Sequence, residues 1–438
     1  MRARWEQLAG WAGTSEDGAS VRVYRALFGL LLAGALVRLH LTGWTGPLFL
    51  EPTFRFEYEA FSFIPVMPKS LVPWALAVGA VGALGLGFGS GAVRRLGGLV
   101  FLACFGWLKL YDVTNYLNHD YLAFLLGALL TLLPLEGAAV PRWALWLLRF
   151  QVGVVYVHAG LAKVNTDWLV HGQPLETWFA ANRGLPVLGP LLALPFAPLV
   201  GSWAACLYDL TIPFWLSARR TRPFALVAVL GFHGATHALF DIGIFPFLMT
   251  LNATLFFEPS WPRRLGWRWG AASPSVRPLG PVLALGLVLY VGFQALFPLR
   301  SHLLGDDVLW DEQGMRWSWK VMLREKNGAV SYRVRAKGEP REWQIDPRDV
   351  LTARQANEMS GQPDLIVQLG RHVGRELERK LGRPVEVFVD AKVSLNGRAP
   401  VLLFRPDVDL LTLEGSDLRA ALNGSPRRAP WPQPVAVR

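Results

Sequence analysis

Three clusters of ionisable and hydrogen-bonding residues lie at the ends of long apolar runs in this chain. They are residues 111–122, which contain Asn118, His119 and Tyr121; residues 158–168, which contain Lys163, Asp167 and Trp168; and residues 232–246, which contain His233, His237 and Asp241. Ionisable side chains within apolar helices are costly and usually functional. Such side chains can exchange protons and hydrogen bond a ligand. The three clusters are therefore candidate parts of one pocket.

Each candidate also has a purely structural interpretation. Lys163 could extend from a helix end to the membrane interface, and His119 could cap a helix there. His233 and His237 are four residues apart, a spacing that can bind a metal on one helical face. No glutamate lies between them and no third ligand is evident, so hydrogen bonding between helices is favoured and no metal is predicted.

Membrane-spanning helices are predicted to position these clusters. Of the 438 residues, 52% are hydrophobic and only 18% charged, whereas a soluble domain has about a quarter charged residues. An apolar run of roughly 20 residues matches the hydrocarbon thickness of a bilayer. The predicted spans are 22–42, 72–90, 97–113, 120–135, 143–163, 192–217, 224–241, 244–258 and 279–297. The eighth is short enough to be re-entrant or fused with the seventh.

The arginines predict the orientation of the chain. With nine spans, the arginine-rich loops fall on one side: Arg2 and Arg4, Arg94 and Arg95, Arg142, Arg219, Arg220 and Arg222, and Arg263, Arg264 and Arg268. Basic residues stay in cytoplasmic loops, so the N-terminus is predicted to be cytoplasmic and the C-terminal part outside. This distribution accounts for the net charge of +11 without a nucleic-acid partner, and the lipid bilayer is the predicted surrounding.

The composition changes after Leu299. Residues 330–334 and 385–389 have the β-branched alternation of strands, residues 401–404 are a third candidate, and residues 363–381 have helical spacing. The fold predicted is a membrane all-α bundle of about nine transmembrane helices (1–299) followed by an extramembrane β-rich, α+β domain (300–420). Residues 421–438 are rich in proline and arginine, which predicts a disordered tail.

The order of several motifs resembles the vitamin K-dependent γ-carboxylase family, whose membrane part is the horizontally transferred transmembrane domain. The motifs are Asn118-His119-Asp120-Tyr121-Leu122; the segment from Ala159 through Lys163 to Asp167-Trp168; Phe232-His233 followed by Phe245-Pro246; Trp317-Ser318-Trp319-Lys320; and Val393-Ser394-Leu395-Asn396-Gly397-Arg398 with Arg405-Pro406-Asp407. The resemblance covers residues from about 20 to about 415 and indicates a compact, bacterial-type member, located in the bacterial inner membrane.

The resemblance implies an enzyme that couples oxygenation of reduced vitamin K by O2 to carboxylation of glutamyl residues by CO2, with release of the quinone as its epoxide. Lys163 matches the family's base and His119 a second catalytic residue. Asn118, Tyr121, Asp167, Trp168 and His233 are implied to bind substrate or cofactor. Desolvation at the end of an apolar helix would favour the neutral lysine that a base requires. The implied partner is a glutamate-containing peptide or protein.

Two other functions remain open from the sequence. The chain could be a quinone-dependent membrane oxidoreductase or epoxidase that does not carboxylate protein. It could also be a non-catalytic membrane receptor or transporter with a ligand-binding outer domain. Transporters usually contain two matching halves with broken helices, and no such repeat is evident in this sequence.

Overall fold

The computed structural model describes residues 2–267, 279–414, 418–429 and 431. The described residues of the membrane part contain thirteen α-helices. They are α1 (Arg2–Gly13), α2 (Ala19–Leu41), α3 (Val72–Phe88), α4 (Gly91–Leu110), α5 (Asn118–Leu132), α6 (Arg142–Ala162), α7 (Thr166–Leu169), α8 (Leu175–Ala181), α9 (Gly189–Leu192), α10 (Ala197–Ser217), α11 (Arg222–Leu239), α12 (Phe245–Ala253) and α13 (Pro281–Leu296). A helix lies at each of the nine predicted spans.

Within the described residues, six helical segments are long and apolar enough to cross a membrane. They are Ala19–Leu41, Lys69–Phe88, Gly91–Leu110, Arg142–Ala162, Ala197–Ser217 and Pro281–Leu304. The helices α5, α11 and α12 are shorter or less apolar, so the membrane bundle is confirmed while the count of nine spans stays a prediction. Small residues let helices approach closely: a Cβ on Gly82 of α3 would lie 2.8 Å from the Gly97 carbonyl oxygen of α4, as is typical of membrane helix pairs.

The arginine-bearing loops meet at one end of the bundle. Strand β1 (Ser15–Asp17) pairs antiparallel with β2 (Ala139–Pro141). Arg142 binds Glu16 at 2.6 Å, and Arg263 binds Asp17 at 2.5 Å. Arg94 binds Glu136 at 2.8 Å. The C-terminal domain contacts the loops at the opposite end, as in the hydrogen bond from Gln355 to Asp112, and the alternation inferred from the arginines stays a prediction.

The C-terminal domain is a four-stranded antiparallel sheet with one long helix. Its elements are α14 (Ser301–Leu304), α15 (Val308–Asp311), β3 (Lys326–Ala336), β4 (Glu342–Ile345), α16 (Ala353–Met359), α17 (Pro363–Leu381), β5 (Val385–Leu395), β6 (Val401–Leu402) and α18 (Leu418–Ala421), and the strand order is β4-β3-β5-β6. Alternate residues of β5 are buried against α17. The predicted α+β class is thus found, together with one edge strand, β4, that the sequence pattern did not reveal.

Side chains from both parts hold the C-terminal domain on the bundle. Gln355 of α16 donates to Asp112 Oδ2 at 2.8 Å, and Trp178 donates to Glu325 at 2.6 Å. Burial raises the pKa of Asp112, although hydrogen bonds from Thr114 and Gln355 oppose this effect. Asp112, which belongs to the first polar cluster of the sequence, therefore serves as an anchor between the two parts.

Ordered structure extends into the segment predicted to be a disordered tail. The Asn423 amide donates to the Leu403 carbonyl at 2.9 Å, Arg427 pairs with Asp307 at 2.7 Å, and Trp431 stacks on His171 with ring centroids 4.0 Å apart. Residues 430 and 432–438 lie outside the described part of the chain. Local composition does not report these contacts, and the domain boundary at residue 420 stays a prediction.

Candidate active site

Lys163 caps the C-terminal end of α6 and is buried, with 4% of its surface exposed. Its ammonium donates to Asp209 Oδ2 at 2.8 Å and to the Ala159 carbonyl at 3.2 Å. The Val321 carbonyl of the C-terminal domain lies 3.4 Å away. The ammonium also lies 5.2 Å from the centre of the Trp168 ring. Lys163 therefore points into the protein. The alternative interpretation, in which Lys163 extends from the helix end to the membrane interface, does not apply.

Asp209 is the partner that the sequence reasoning missed. It lies in the middle of α10 and is 6% exposed. A carboxylate within an apolar helix is costly to bury unless it is paired, and the Lys163 ammonium supplies that pairing. The signal in the sequence was a single aspartate in an otherwise apolar run, which is by itself a reason to predict a functional or paired residue.

The Lys163–Asp209 pair forms part of the wall of a cavity of about 470 Å³. Most of the lining is apolar or aromatic, and the polar groups converge from α6, α10 and α11. The lining includes Tyr156, Lys163, Trp168, Trp178, Phe179, Tyr208, Asp209, Phe232, His233, Phe240, Phe245, Val321 and Met322. The volume and chemistry suit a flat aromatic ligand with a few hydrogen-bonding groups.

His233 is the histidine that faces this cavity. Its Nε2 lies 3.0 Å from the Tyr156 hydroxyl and 3.4 Å from that of Tyr208. Its Nδ1 is buried and has no hydrogen-bond partner among the described residues. A buried polar atom without a partner is uncommon in native structures. His233 thus offers one free ring nitrogen to a ligand, while His237, one turn further along, contacts Phe247.

The residues of the Asn118 motif approach the same site from another side but do not line the cavity. Asn118 donates to the Lys320 carbonyl at 3.2 Å. The Phe245 ring separates His119 from His233, with centroid distances of 5.9 Å and 5.7 Å respectively. The expected common cavity therefore contains Lys163 and His233, whereas Asn118 and His119 lie behind its wall. Their predicted roles stay predictions.

Tyr121 lines a second, largely apolar cavity of about 410 Å³ between α4, α5 and α13. Its ring stacks on Trp319 with centroids 4.8 Å apart. The polar groups at this cavity include Lys109 and Asp120, which pair at 2.7 Å. Tyr121 is therefore connected to the Lys163 site through Trp319 and the segment that contains it.

Residues 317–322 form that connection, here named the 317–322 segment. The Trp317, Trp319 and Met322 backbones have φ values of 58°, 56° and 48°. Left-handed conformations are unfavourable for such side chains and persist only where the surroundings impose them. Tyr116 accepts a hydrogen bond from the Trp317 amide at 2.7 Å. Together with the Asn118, Tyr121 and Lys163 contacts, this bond fixes the segment between the two cavities.

Asp167 and Trp168 have different surroundings although they are adjacent. Trp168 forms a wall of the larger cavity, and its indole donates to the Ser202 carbonyl at 2.7 Å. Asp167 points to the C-terminal domain, where Arg398 binds both carboxylate oxygens at 2.8 Å. Burial alone would raise the pKa of Asp167, but hydrogen bonds from Arg398 and Asn396 and the charge of Arg427 outweigh it and lower the pKa. Asp167 thus joins the two parts.

These features define an integral membrane protein with a buried, ionisable site beneath an outer α+β domain. Two family models match it: the HTTM domain over residues 14–261, and the vitamin K-dependent gamma-carboxylase lumenal domain over residues 280–421. The chain belongs to the vitamin K-dependent gamma-carboxylase family, which confirms the resemblance drawn from the motifs. No solved structure matches it. The lumenal description agrees with a C-terminal domain on the non-cytoplasmic side; the cytoplasmic N-terminus stays a prediction.

Proposed function

We propose that this chain is a vitamin K-dependent glutamyl carboxylase and epoxidase in which Lys163, paired with Asp209, accepts a proton from the reduced cofactor. The observation that carries the proposal is the buried Lys163–Asp209 pair, 2.8 Å apart, in the wall of a largely apolar cavity. Family membership supports an enzyme of the gamma-carboxylase type. The identity of the base, the epoxidation and the glutamyl substrate belong to the proposal.

The cavity fits a reduced naphthoquinone. Its aromatic walls can hold the ring system, and the unpartnered Nδ1 of His233 can hydrogen bond one of its oxygens. When bound, reduced vitamin K together with O2 supplies a base strong enough for the glutamyl γ-hydrogen and is released as the epoxide. The residues that would hold the cofactor are His233, Tyr208 and Trp168, beside Lys163.

Lys163 can act as a base because Asp209 can accept a proton from the Lys163 ammonium. Transfer of one proton from the ammonium to the Asp209 carboxylate leaves a neutral amine beside a neutral acid and removes two buried charges, whose burial is costly at low dielectric. The neutral amine can then accept a proton from a hydroxyl of the bound hydroquinone. Asp209 therefore acts through Lys163, as a positioning residue that also stores a proton.

The aromatic side chains around the pair have a second role. Trp168, Phe179 and Phe240 line the cavity together with Val321 and Met322 of the 317–322 segment, and such apolar walls disfavour water. Exclusion of water protects strongly basic species from being quenched by bulk protons. A membrane location also gives a lipid-soluble quinone direct access to the bundle.

The test uses the purified full chain in lipid nanodiscs with reduced vitamin K, O2, labelled bicarbonate and a glutamate peptide. We expect vitamin K epoxide and label in the peptide, and loss of both in Lys163→Ala. The matched control is Lys392→Ala, which removes an exposed lysine of β5. Epoxide formation without label would restrict the function to quinone epoxidation. If neither product forms with any naphthoquinone, the proposal is wrong.

A further inference from the structure

Lys320 is a buried lysine without a carboxylate partner. It is 6% exposed, and the structure gives its ammonium no hydrogen bond or ion pair within the described ranges. Other buried or half-buried lysines are paired: Lys163 with Asp209, Lys109 with Asp120, and Lys326 with Glu312. Burial of an unpaired charge is unfavourable, so the Lys320 ammonium, which no described residue pairs, is suited to bind an anion from outside the protein.

The surroundings of Lys320 are cationic as well. The Arg300 guanidinium donates to the Phe297 carbonyl, the Ser318 hydroxyl and the Arg316 carbonyl at 3.0, 3.0 and 2.6 Å, and it has no ion pair with any described carboxylate. His158 and His302 lie within electrostatic range of the Lys320 ammonium. His302 is exposed, so the cluster reaches the surface.

Lys320 stays mainly charged near neutral pH despite these neighbours. Burial, and then the charge of Arg300, lower its pKa to about 8. At pH 7 a group with that pKa is about nine-tenths protonated. Lys320 and Arg300 therefore carry positive charge that no described carboxylate pairs, which is the electrostatic requirement for binding an anion.

The backbone at Lys320 is part of the candidate active site. The neighbouring residues Val321 and Met322 line the cavity of Lys163, and the Val321 carbonyl lies 3.4 Å from the Lys163 ammonium. The Lys320 carbonyl accepts a hydrogen bond from Asn118. The backbone of Lys320 thus lies between Asn118 and the two residues that line the cavity in which the cofactor is proposed to bind.

We propose that Lys320, assisted by Arg300, binds the γ-carboxylate of the glutamyl substrate. This inference rests on the proposed function and names the group that recognises its substrate. A carboxylate would supply the missing counter-charge through charge-assisted hydrogen bonds. The same contacts would promote the reaction. When the γ C–H bond breaks, its proton passes to the base supplied by the hydroquinone and O2, and its electron pair spreads onto the carboxylate, where cations stabilise the added charge.

The test measures peptide binding without quinone. Two fluorescent peptides that differ only in one glutamate or glutamine are titrated against the full chain in nanodiscs. We expect the wild type to bind the glutamate peptide about tenfold more tightly, as one charge-assisted contact allows. Lys320→Met should reduce this preference below about twofold, whereas Lys320→Arg and the exposed-lysine control Lys392→Met should keep it.

Several outcomes would overturn the inference. Equal binding of the two peptides by the wild type, or an unchanged preference in Lys320→Met, excludes the assignment. If added bicarbonate abolishes the preference for the glutamate peptide, Lys320 and Arg300 bind the one-carbon co-substrate and not the glutamyl side chain. Binding of the glutamine peptide reports whether the Lys320→Met variant is folded. If that variant is not folded, Lys320→Arg tests whether a positive charge at this position is sufficient for the preference. The assay involves no turnover, so a failed epoxidation assay leaves its result intact.

Discussion

Lys163 and Lys320 are both buried, yet their electrostatic surroundings are opposite. Lys163 has Asp209 at 2.8 Å, whereas Lys320 has Arg300 as its charged neighbour and no carboxylate partner among the described residues. A lysine paired with an acid can change its protonation state without leaving an isolated charge, which suits proton transfer. An unpaired lysine keeps a positive charge, which suits anion binding. The residue type alone does not distinguish these two roles; the neighbours do.

The largest effect is expected for a substitution at Lys163 that distinguishes a role in proton transfer from a role of the positive charge alone. Lys163→Arg keeps the positive charge and can still bind Asp209, but a guanidinium does not release its proton. We expect epoxide formation to fall by about 100- to 10,000-fold, the range for loss of a general base. The initial rate of epoxide formation in nanodiscs measures this loss. A small exogenous amine should restore part of the activity to Lys163→Ala, and near-normal activity of Lys163→Arg would locate the base elsewhere.

The second prediction tests whether Lys163 and Asp209 form one energetic unit. Asp209→Leu and Lys163→Met each leave one buried ionisable group without its partner, and each should lower the free energy of unfolding by about 3–5 kcal/mol. The double variant should recover most of that loss, because both groups are then apolar, but it should stay inactive. Unfolding in detergent and the epoxidation assay measure the two effects. Additive losses in the double variant would mean that the two residues are not coupled.

The third prediction concerns the missing partner of Lys320. The pKa of a buried lysine that is lowered to about 8 lies below its unfolded value of about 10.4. Between these values the unfolded state binds more protons, so stability should rise with pH across this interval. The difference in melting temperature between Lys320→Met and the wild type should therefore shrink as pH rises from about 8 to about 10.4. A constant difference would indicate that Lys320 is already neutralised.

The fold could be predicted from the sequence wherever a hydrophobic pattern was repeated over many residues. Long apolar runs predicted the positions of the membrane helices, and alternation predicted β3 and β5. The short strand β4 has the sequence Glu-Trp-Gln-Ile, which is too short to show a clear period. Its pairing with β3 comes from tertiary structure, not from local preference.

The candidate site could be predicted from the sequence only in part, for two physical reasons. The rotation of α5 decides whether His119 faces the cavity, and a helix that is apolar on nearly all sides gives little information about its rotation. The 317–322 segment depends on left-handed backbone at two tryptophans, which no residue preference predicts. Asp209, by contrast, was visible as a lone carboxylate in an apolar run and could have been selected beside Lys163.

The smallest expected effect concerns Asp167, a third charged site, at the boundary between the two parts. Its lowered pKa means that its contribution to stability is complete above the unfolded carboxyl pKa of about 4 and is lost as the pH falls through the lower folded value. Asp167→Asn should therefore cost about 1.5–3 kcal/mol at pH 7, the range for a hydrogen bond to a charged group, and less below pH 4. Thermal unfolding of the variant and the wild type at pH 7 and pH 3 measures this. Arg398→Met should reproduce the pattern, since it removes the other half of the contact. An equal loss at both pH values would show that Asp167 acts through packing and not through its charge.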